Sequence, residues 1–170
     1  MTIPRLLPAR EVVGGYEAGY HFVMSQTKNM TRPGPTVRQL VQVAKAVGHP
    51  ARLRLLAMLE GRTLCVCQMT SILELASSTV SGHLNELRRS GLVIEDKQGK
   101  LVYYRRDPSS PLAGVITDAL ALVNDDEAIA ADRALIDRVR AVPIELLSRA
   151  GLNLAALGIK RHRARSSART

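Results

Sequence analysis

Two cysteines in 170 residues are too few for a disulfide framework, and so few suit a reducing cytoplasm in which thiols stay free. No apolar run approaches the roughly 18 residues that would span a membrane. Early prolines, Pro4 and Pro8, interrupt the start, so no signal peptide is read there. A cytoplasmic chain without a membrane partner is expected. The four histidines are scattered, and no Gly-rich phosphate loop, Ser-His-Asp order or carboxylate pair stands out. An enzyme is therefore the least expected class, and no resident cofactor is implied.

What is present is an ordinary globular balance, 46% hydrophobic and 23% charged, with a net charge of +9. That charge is unevenly placed. Residues 36–111 carry 11 Lys+Arg against 6 Asp+Glu, whereas residues 112–157 carry 4 against 7. Residues 158–170 carry five basic groups, Lys160, Arg161, Arg163, Arg165 and Arg169, and no acid. A basic middle with a basic end suits a polyanion such as double-stranded DNA.

The pattern divides the chain into four stretches. Residues 1–35 are broken by Pro and Gly and read as a flexible N-terminal arm. Thr36 caps a helix whose Val37, Leu40, Val41, Ala44 and Val47 share one face, and Gly48 ends it. His49-Pro50 starts the next, with His49 as a surface or capping residue and Leu53, Leu56 and Ala57 inward. A short helix over Gln68–Leu73 follows, then a turn at Leu75-Ala76-Ser77. Ser77 or Ser78 then caps a helix that buries Val80, Leu84 and Leu87. Its other face holds Ser77, Ser78, Thr79, Ser81, Gly82, His83 and Asn85. Short hydrogen-bonding side chains with no acid before Glu86 fit a major groove. Gly82 costs about 1 kcal/mol of helix propensity, which close approach to a sugar-phosphate backbone would explain. Two β-rich runs, Leu92–Ile94 and Leu101–Tyr104, flank a Gly-bearing turn with Lys97 and Lys100 at its tip. A hairpin directly after a helix-turn-helix is a winged helix, mainly α with a small β wing. Lys97, Lys100, Arg105 and Arg106 are candidates for phosphate contacts. After a linker at Pro108–Pro111, Leu112, Val115, Ile116, Ala119, Leu120 and Val123 form another apolar stripe that needs a partner surface. Residues 124–157 read as a C-terminal helical extension, opening on a capping box with Asn124 at the cap and Glu127 three residues on. Residues 158–170 read as a basic disordered tail.

Leu64-Cys65-Val66-Cys67, Ser77–Leu84, Leu87–Val93 and the wing ending Val102-Tyr103-Tyr104 closely resemble the ArsR/SmtB family of winged-helix metalloregulatory repressors. The likeness covers residues 36–123, and the Cys-Val-Cys run resembles the arsenic-sensing branch. It implies a homodimer through the helices at 36–47 and 112–123, operator reading by Ser77–Asn85, and release on binding an inducer. Two departures stand out. Thr70 occupies the position of a third cysteine, and the helix after the wing has Asp118 but no histidine, so the zinc site of the other branch is not expected.

Thiolates are soft ligands, which makes Cys65 and Cys67 the candidate site for trivalent arsenic or antimony, with other soft ions also possible. On an ideal helix residues i and i+2 point about 200° apart, so a shared ion would require the first turn to unwind. A third ligand could be Thr70, solvent hydroxide, a small thiol or the N-terminal arm. Two other readings stay open: a thiol-redox trigger at the same cysteines, and a non-sensing DNA binder that depends on its basic tail.

Overall fold

Residues 34–161 are described by the computed structural model, so the arm expected over 1–35 lies almost wholly outside the described residues, as do the last nine residues of the tail. Thr36 caps α1 (Val37–Val47) in a full capping box: its hydroxyl accepts from Gln39 N at 3.2 Å, and Gln39 Oε1 accepts from Thr36 N at 2.7 Å. His49 caps α2 (Pro50–Met58), its Nδ1 accepting from Ala51 N at 3.1 Å. Strand β1 (Leu64–Cys65) leads into α3 (Val66–Leu73), a turn, and α4 (Ser77–Arg89). The wing is β2 (Val93–Gln98) and β3 (Leu101–Arg106), joined through Gly99 at φ 61°, where a residue without Cβ is favoured. The sheet is antiparallel with order β1-β3-β2, and Leu64 lies opposite Tyr104. Then come α5 (Ala113–Leu122), α6 (Glu127–Arg140), α7 (Ile144–Arg149) and a 3-10 turn at Ala155–Leu157. This is a winged helix-turn-helix with extra C-terminal helices.

Two expected starts move. Neither Ser77 nor Ser78 caps α4, because Ala76 holds the cap position and no side chain closes it. Asp126, not Asn124, caps α6, accepting from Ala128 N and Ile129 N at 3.0 and 3.1 Å. The reason is that Asn124 is still bonded back into the end of α5, through its N–H to Ala121 O, so Asp126 is the residue with extended backbone before α6.

The core is continuous from one end of the described chain to the other. Leu55, Leu56, Met58 and Leu59 meet Met69 and Ile72 of α3, Leu84 and Leu87 of α4, and Ile136, Val139, Leu147 and Leu154 of the C-terminal extension. Each large side chain so buried contributes about 1.5–3 kcal/mol. The extension therefore covers α2 and α3 rather than trailing from them. A charged clamp reinforces it: Arg54 Nε and Nη2 each donate to an Asp132 oxygen at 2.7 Å, and Asp132 is only 2% exposed. Burial pushes the Asp132 carboxyl up, against the opposing pull of Arg54. The tail boundary also moves. Ile159 is buried and Arg161 is bonded to α3, so Gly158–Arg161 belong to the folded unit rather than to a disordered tail.

Two apolar rows stay uncovered. Of α1 only Val43 and Ala46 are buried, leaving Val37, Leu40 and Val41 between 47% and 80% exposed. On α5, Ile116 and Leu120 turn inward while Val115 and Leu122 stay outside. Among the described residues no helix is long and apolar enough to cross a membrane.

Candidate nucleic-acid interface and thiol site

Helix α4 buries Val80, Leu84 and Leu87 at i, i+4 and i+7, which leaves the opposite face outward. Ser77, Ser78, Thr79, Gly82 and Asn85 are exposed, and Ser81 and His83 are half-buried. With no cap at Ala76, the first-turn amides of α4 are open to an anion, the sign a helix N-terminus favours. The Ser77 hydroxyl lies 3.5 Å from Thr70 Oγ1, so the start of α4 touches the buried face of α3. His83 stacks on His49 with ring centroids 4.4 Å apart. Burial first, then His49 and Arg52, holds the His83 imidazole below its ordinary value.

In the wing, Lys97 and Lys100 are exposed. Lys97 Nζ sits 3.3 Å from Glu95 Oε1. Glu95 is the hub between wing and α4, accepting from Tyr104 Oη at 3.0 Å and pairing with Arg88 Nε at 3.4 Å. The Tyr104 hydrogen bond, with Lys97 and Arg88 adding to it, holds the Glu95 carboxyl low, and burial with Glu95 pushes the Tyr104 phenol up to about 12. Arg105 is exposed, but Arg106 is not available for phosphate. It donates to Thr117 Oγ1 at 2.6 Å and pairs with Glu60 at 3.5 Å, bracing the wing against α5.

The cysteines are not both helical. Cys65 ends β1 with extended backbone (φ −81°, ψ 158°) and serves as the cap of α3, while Cys67 is the second residue of that helix. The 200° separation expected for two helical residues therefore does not apply. The side chains meet without unwinding, and the sulfurs are joined as a disulfide with Cα atoms 5.4 Å apart, where free thiols were expected. Cys65 is buried and Cys67 half-buried. Cys65 Sγ accepts from Gln68 N at 3.3 Å, and Gln68 Oε1 accepts from Cys65 N at 3.0 Å. That is a capping box with sulfur as the capping atom. The Cys-x-x-Gln spacing, which follows the Ser-x-x-Gln form, was the available signal for Gln68. Backbone pairing sets Cys65 opposite Tyr103, so the thiol pair sits where the wing sheet joins the first helix of the helix-turn-helix. Among the described residues no three His, Cys, Asp or Glu side chains gather as a metal site, so a soft ion held here would have two protein sulfurs and a third ligand from elsewhere.

Arg161 was placed in the tail by sequence but belongs to this neighbourhood. One Nη2 donates to Ser71 O at 2.8 Å and also to Ile72 O, and Nε pairs with Glu74 Oε1 at 2.7 Å. The last-turn carbonyls of α3 are thereby satisfied from a distant part of the chain. No local spacing signals such a contact across 90 residues.

The family model described as "Bacterial regulatory protein, arsR family" matches residues 49–95, which include both cysteines and all of α4. The chain is 44% identical over 61 residues to the arsenic resistance transcriptional regulator ArsR1 of Pseudomonas putida, covering 36% of this chain and 47% of that protein. It is 39% identical over 72 residues to the arsenical resistance operon repressor of Escherichia coli, covering 42% and 62%. These matches span about half to three-fifths of the relatives' own length. An HTH-type transcriptional regulator of Methanocaldococcus jannaschii is 38% identical over 64 residues, covering 37% of this chain and 72% of that one.

Proposed function

The chain belongs to the arsR family of bacterial regulatory proteins, and from that premise we propose that it is a homodimeric transcriptional repressor that leaves its operator when Cys65 and Cys67 bind trivalent arsenic or antimony. The carrying observation is the position of the thiol pair: a capping sulfur of α3 next to a second sulfur, at the seam of wing and helix-turn-helix. The arsenic-resistance names of the two relatives support the choice of inducer.

The chain's own residues supply a route from thiol to DNA. Cys65 Sγ accepts from Gln68 N in the disulfide, and once reduced the same sulfur would be a soft ligand. The sulfur keeps this bond in the disulfide, so the trigger would be displacement: an ion shared by both sulfurs draws Cys65 Sγ to a new position and strains the cap of α3, a contribution of about 0.5–2 kcal/mol for a capping residue. Helix α3 packs on α4 through Met69 and Ile72 and through the Thr70–Ser77 contact, so a shift in α3 re-aims the reading helix. Two reading helices of a dimer must enter grooves about 34 Å apart, so a small tilt in each lowers operator affinity. Ser77, Ser78, Thr79, Ser81, Gly82, His83 and Asn85 would read bases or backbone, and Lys97 and Lys100 would hold phosphates. The uncovered apolar rows on α1 and α5 supply the dimer surface. Gln42 Nε2 donates to Arg89 O at 2.7 Å, linking that surface to the end of α4.

A second reading is favoured by one observation, the Cys65–Cys67 disulfide. Here the trigger is oxidation: a peroxide accepts two electrons and the two thiol protons, leaving two waters (or one alcohol and one water from an alkyl hydroperoxide) and the S–S bond.

The two are separated on the full-length chain with an operator duplex selected from a random-sequence pool. Under reducing conditions arsenite should release the duplex from the unaltered chain and fail to release it from Cys65→Ser and Cys67→Ser. Release by peroxide alone, with arsenite inert, selects the redox reading. Arsenite release that survives both substitutions removes Cys65 and Cys67 from the sensing role.

A further inference from the structure

We propose that a cleft at the base of the wing is a second ligand site, one that takes a small phosphate monoester. It uses neither cysteine nor the exposed face of α4, so it stands apart from the operator and thiol reading.

Register places the site. Leu64 pairs with Tyr104 and Cys65 with Tyr103 as β1 and β3 run antiparallel. Continued two residues back from the start of β1, that register sets Thr63 beside Arg105 and Arg62 beside Arg106. Two distant stretches of chain thus bring three arginines to one place, and the first turn of α5 closes the other side. The result is a cleft of about 530 Å³ with Arg62, Thr63, Arg105 and Arg106 on its wall, within the roughly 300–1,000 Å³ of small-molecule sites. Leu59, Pro108, Ala113 and Gly114 line the rest of it with apolar surface.

The charges on that wall are not all satisfied within the fold. Arg106 is taken up by Glu60 and Thr117. Asp107 also lines the cleft, but its Oδ1 accepts from Ser109 N and Oγ at 2.9 and 2.7 Å in the linker turn. Arg62 Nη1 donates to Glu60 O at 3.3 Å. Among the described residues neither Arg62 nor Arg105 forms an ion pair with a carboxylate.

Two guanidiniums without a counter-charge, set among apolar walls, call for an anion with an organic body. Each presents a fork of N–H donors that matches an oxyanion, and the exposed Thr63 adds a hydroxyl. A carboxylate has two oxygens for these three donor groups. A phosphate monoester has three terminal oxygens and carries about −1.5 to −2 at pH 7. A duplex is the less suited partner. Arg105 lies four residues along β3 from Leu101 at the wing tip, about 13 Å away, and a concave, partly apolar cleft suits a small molecule better than a continuous backbone.

The test is calorimetric titration of the full-length chain, at low salt, with inorganic phosphate, phenyl phosphate and succinate. Phenyl phosphate should bind once per chain, about tenfold tighter than inorganic phosphate because its ring is buried on the apolar wall. Arg62→Gln and Arg105→Gln should each weaken it by about tenfold, with thermal unfolding confirming that both variants stay folded. Arg149→Gln, at an exposed arginine on α7, removes the same charge elsewhere and should leave affinity unchanged. Undiminished affinity in both cleft variants, equal weakening in Arg149→Gln, or no binding of phenyl phosphate at millimolar concentration would overturn the site. Succinate binding tighter than phenyl phosphate would overturn the choice of a phosphate monoester. Operator affinity that falls in Arg62→Gln and Arg105→Gln while phenyl phosphate stays inert would overturn the small-ligand site and assign both arginines to the duplex.

Discussion

Gly82→Ala separates what the fold needs from what DNA binding needs. Gly82 lies in the middle of α4, where alanine is favoured by about 0.8–1 kcal/mol. A Cβ built at this position meets nothing within 4 Å, and the residue is exposed. The fold therefore gains close to the whole propensity difference on substitution. For a chain of this size that is a rise in Tm of about 3 °C. The methyl group would, however, stand on the face proposed to meet the duplex. If the α4 backbone approaches the sugar-phosphate chain there, the added carbon must push the helix away, and an affinity loss of at least tenfold, about 1.4 kcal/mol, is expected. Scanning calorimetry and operator titration on the same preparation read the two quantities. Opposite signs are the expected result, a more stable protein that binds more weakly. Unchanged affinity would refute the close approach at Gly82, and a lower Tm would refute the open space around it.

Asp132→Ala should cost about 2–3 kcal/mol in denaturant unfolding, below the roughly 3–5 kcal/mol for breaking a fully buried pair, because the stranded Arg54 side chain is 26% exposed. Because burial holds the folded Asp132 above its ordinary value, the native state keeps this proton longer. Its contribution to stability falls as pH rises from about 4 through that elevated value, and Asp132→Asn should remove this slope from the stability curve. For His83 the folded imidazole is held low, so stability is complete above about pH 6.5 and declines as pH falls below it. His83→Gln should flatten the curve in that window, and an unchanged slope would exclude His83 as its source. Leu122→Glu, at a side chain 87% exposed, should weaken self-association by tenfold or more in sedimentation without lowering the stability of the isolated chain. An unaltered dimer would take α5 out of the interface.

Periodicity made the helices legible because burial imposes it. Val80, Leu84 and Leu87 turn inward as their spacing requires, and the polar face opposite them is exposed as expected. The wing was legible from β-branched and aromatic runs around Gly99. What failed was local: Cys65 looked helical because strand β1 is only two residues long, and its pairing to Tyr103 is set by β3, almost forty residues on. The capping role of Asp126 depended on how far α5 runs on, which composition does not fix. Arg106, Asp132 and Arg161 were invisible for a third reason. Their partners Glu60, Arg54 and Glu74 are distant in sequence, and a charged residue that will be clamped looks the same as one that will be solvated.

The proposed trigger rests on the thiol pair, and one titration tests it. Reduced full-length protein bound to a fluorescent operator duplex is titrated with arsenite, and sulfur-to-arsenic absorbance and operator release are followed together. One ion per chain should bind, with absorbance and release rising in step and both abolished in Cys65→Ser and in Cys67→Ser. Operator release without the absorbance band, or a saturated band with the duplex still bound, would contradict the coupling of Cys65 and Cys67 to α4.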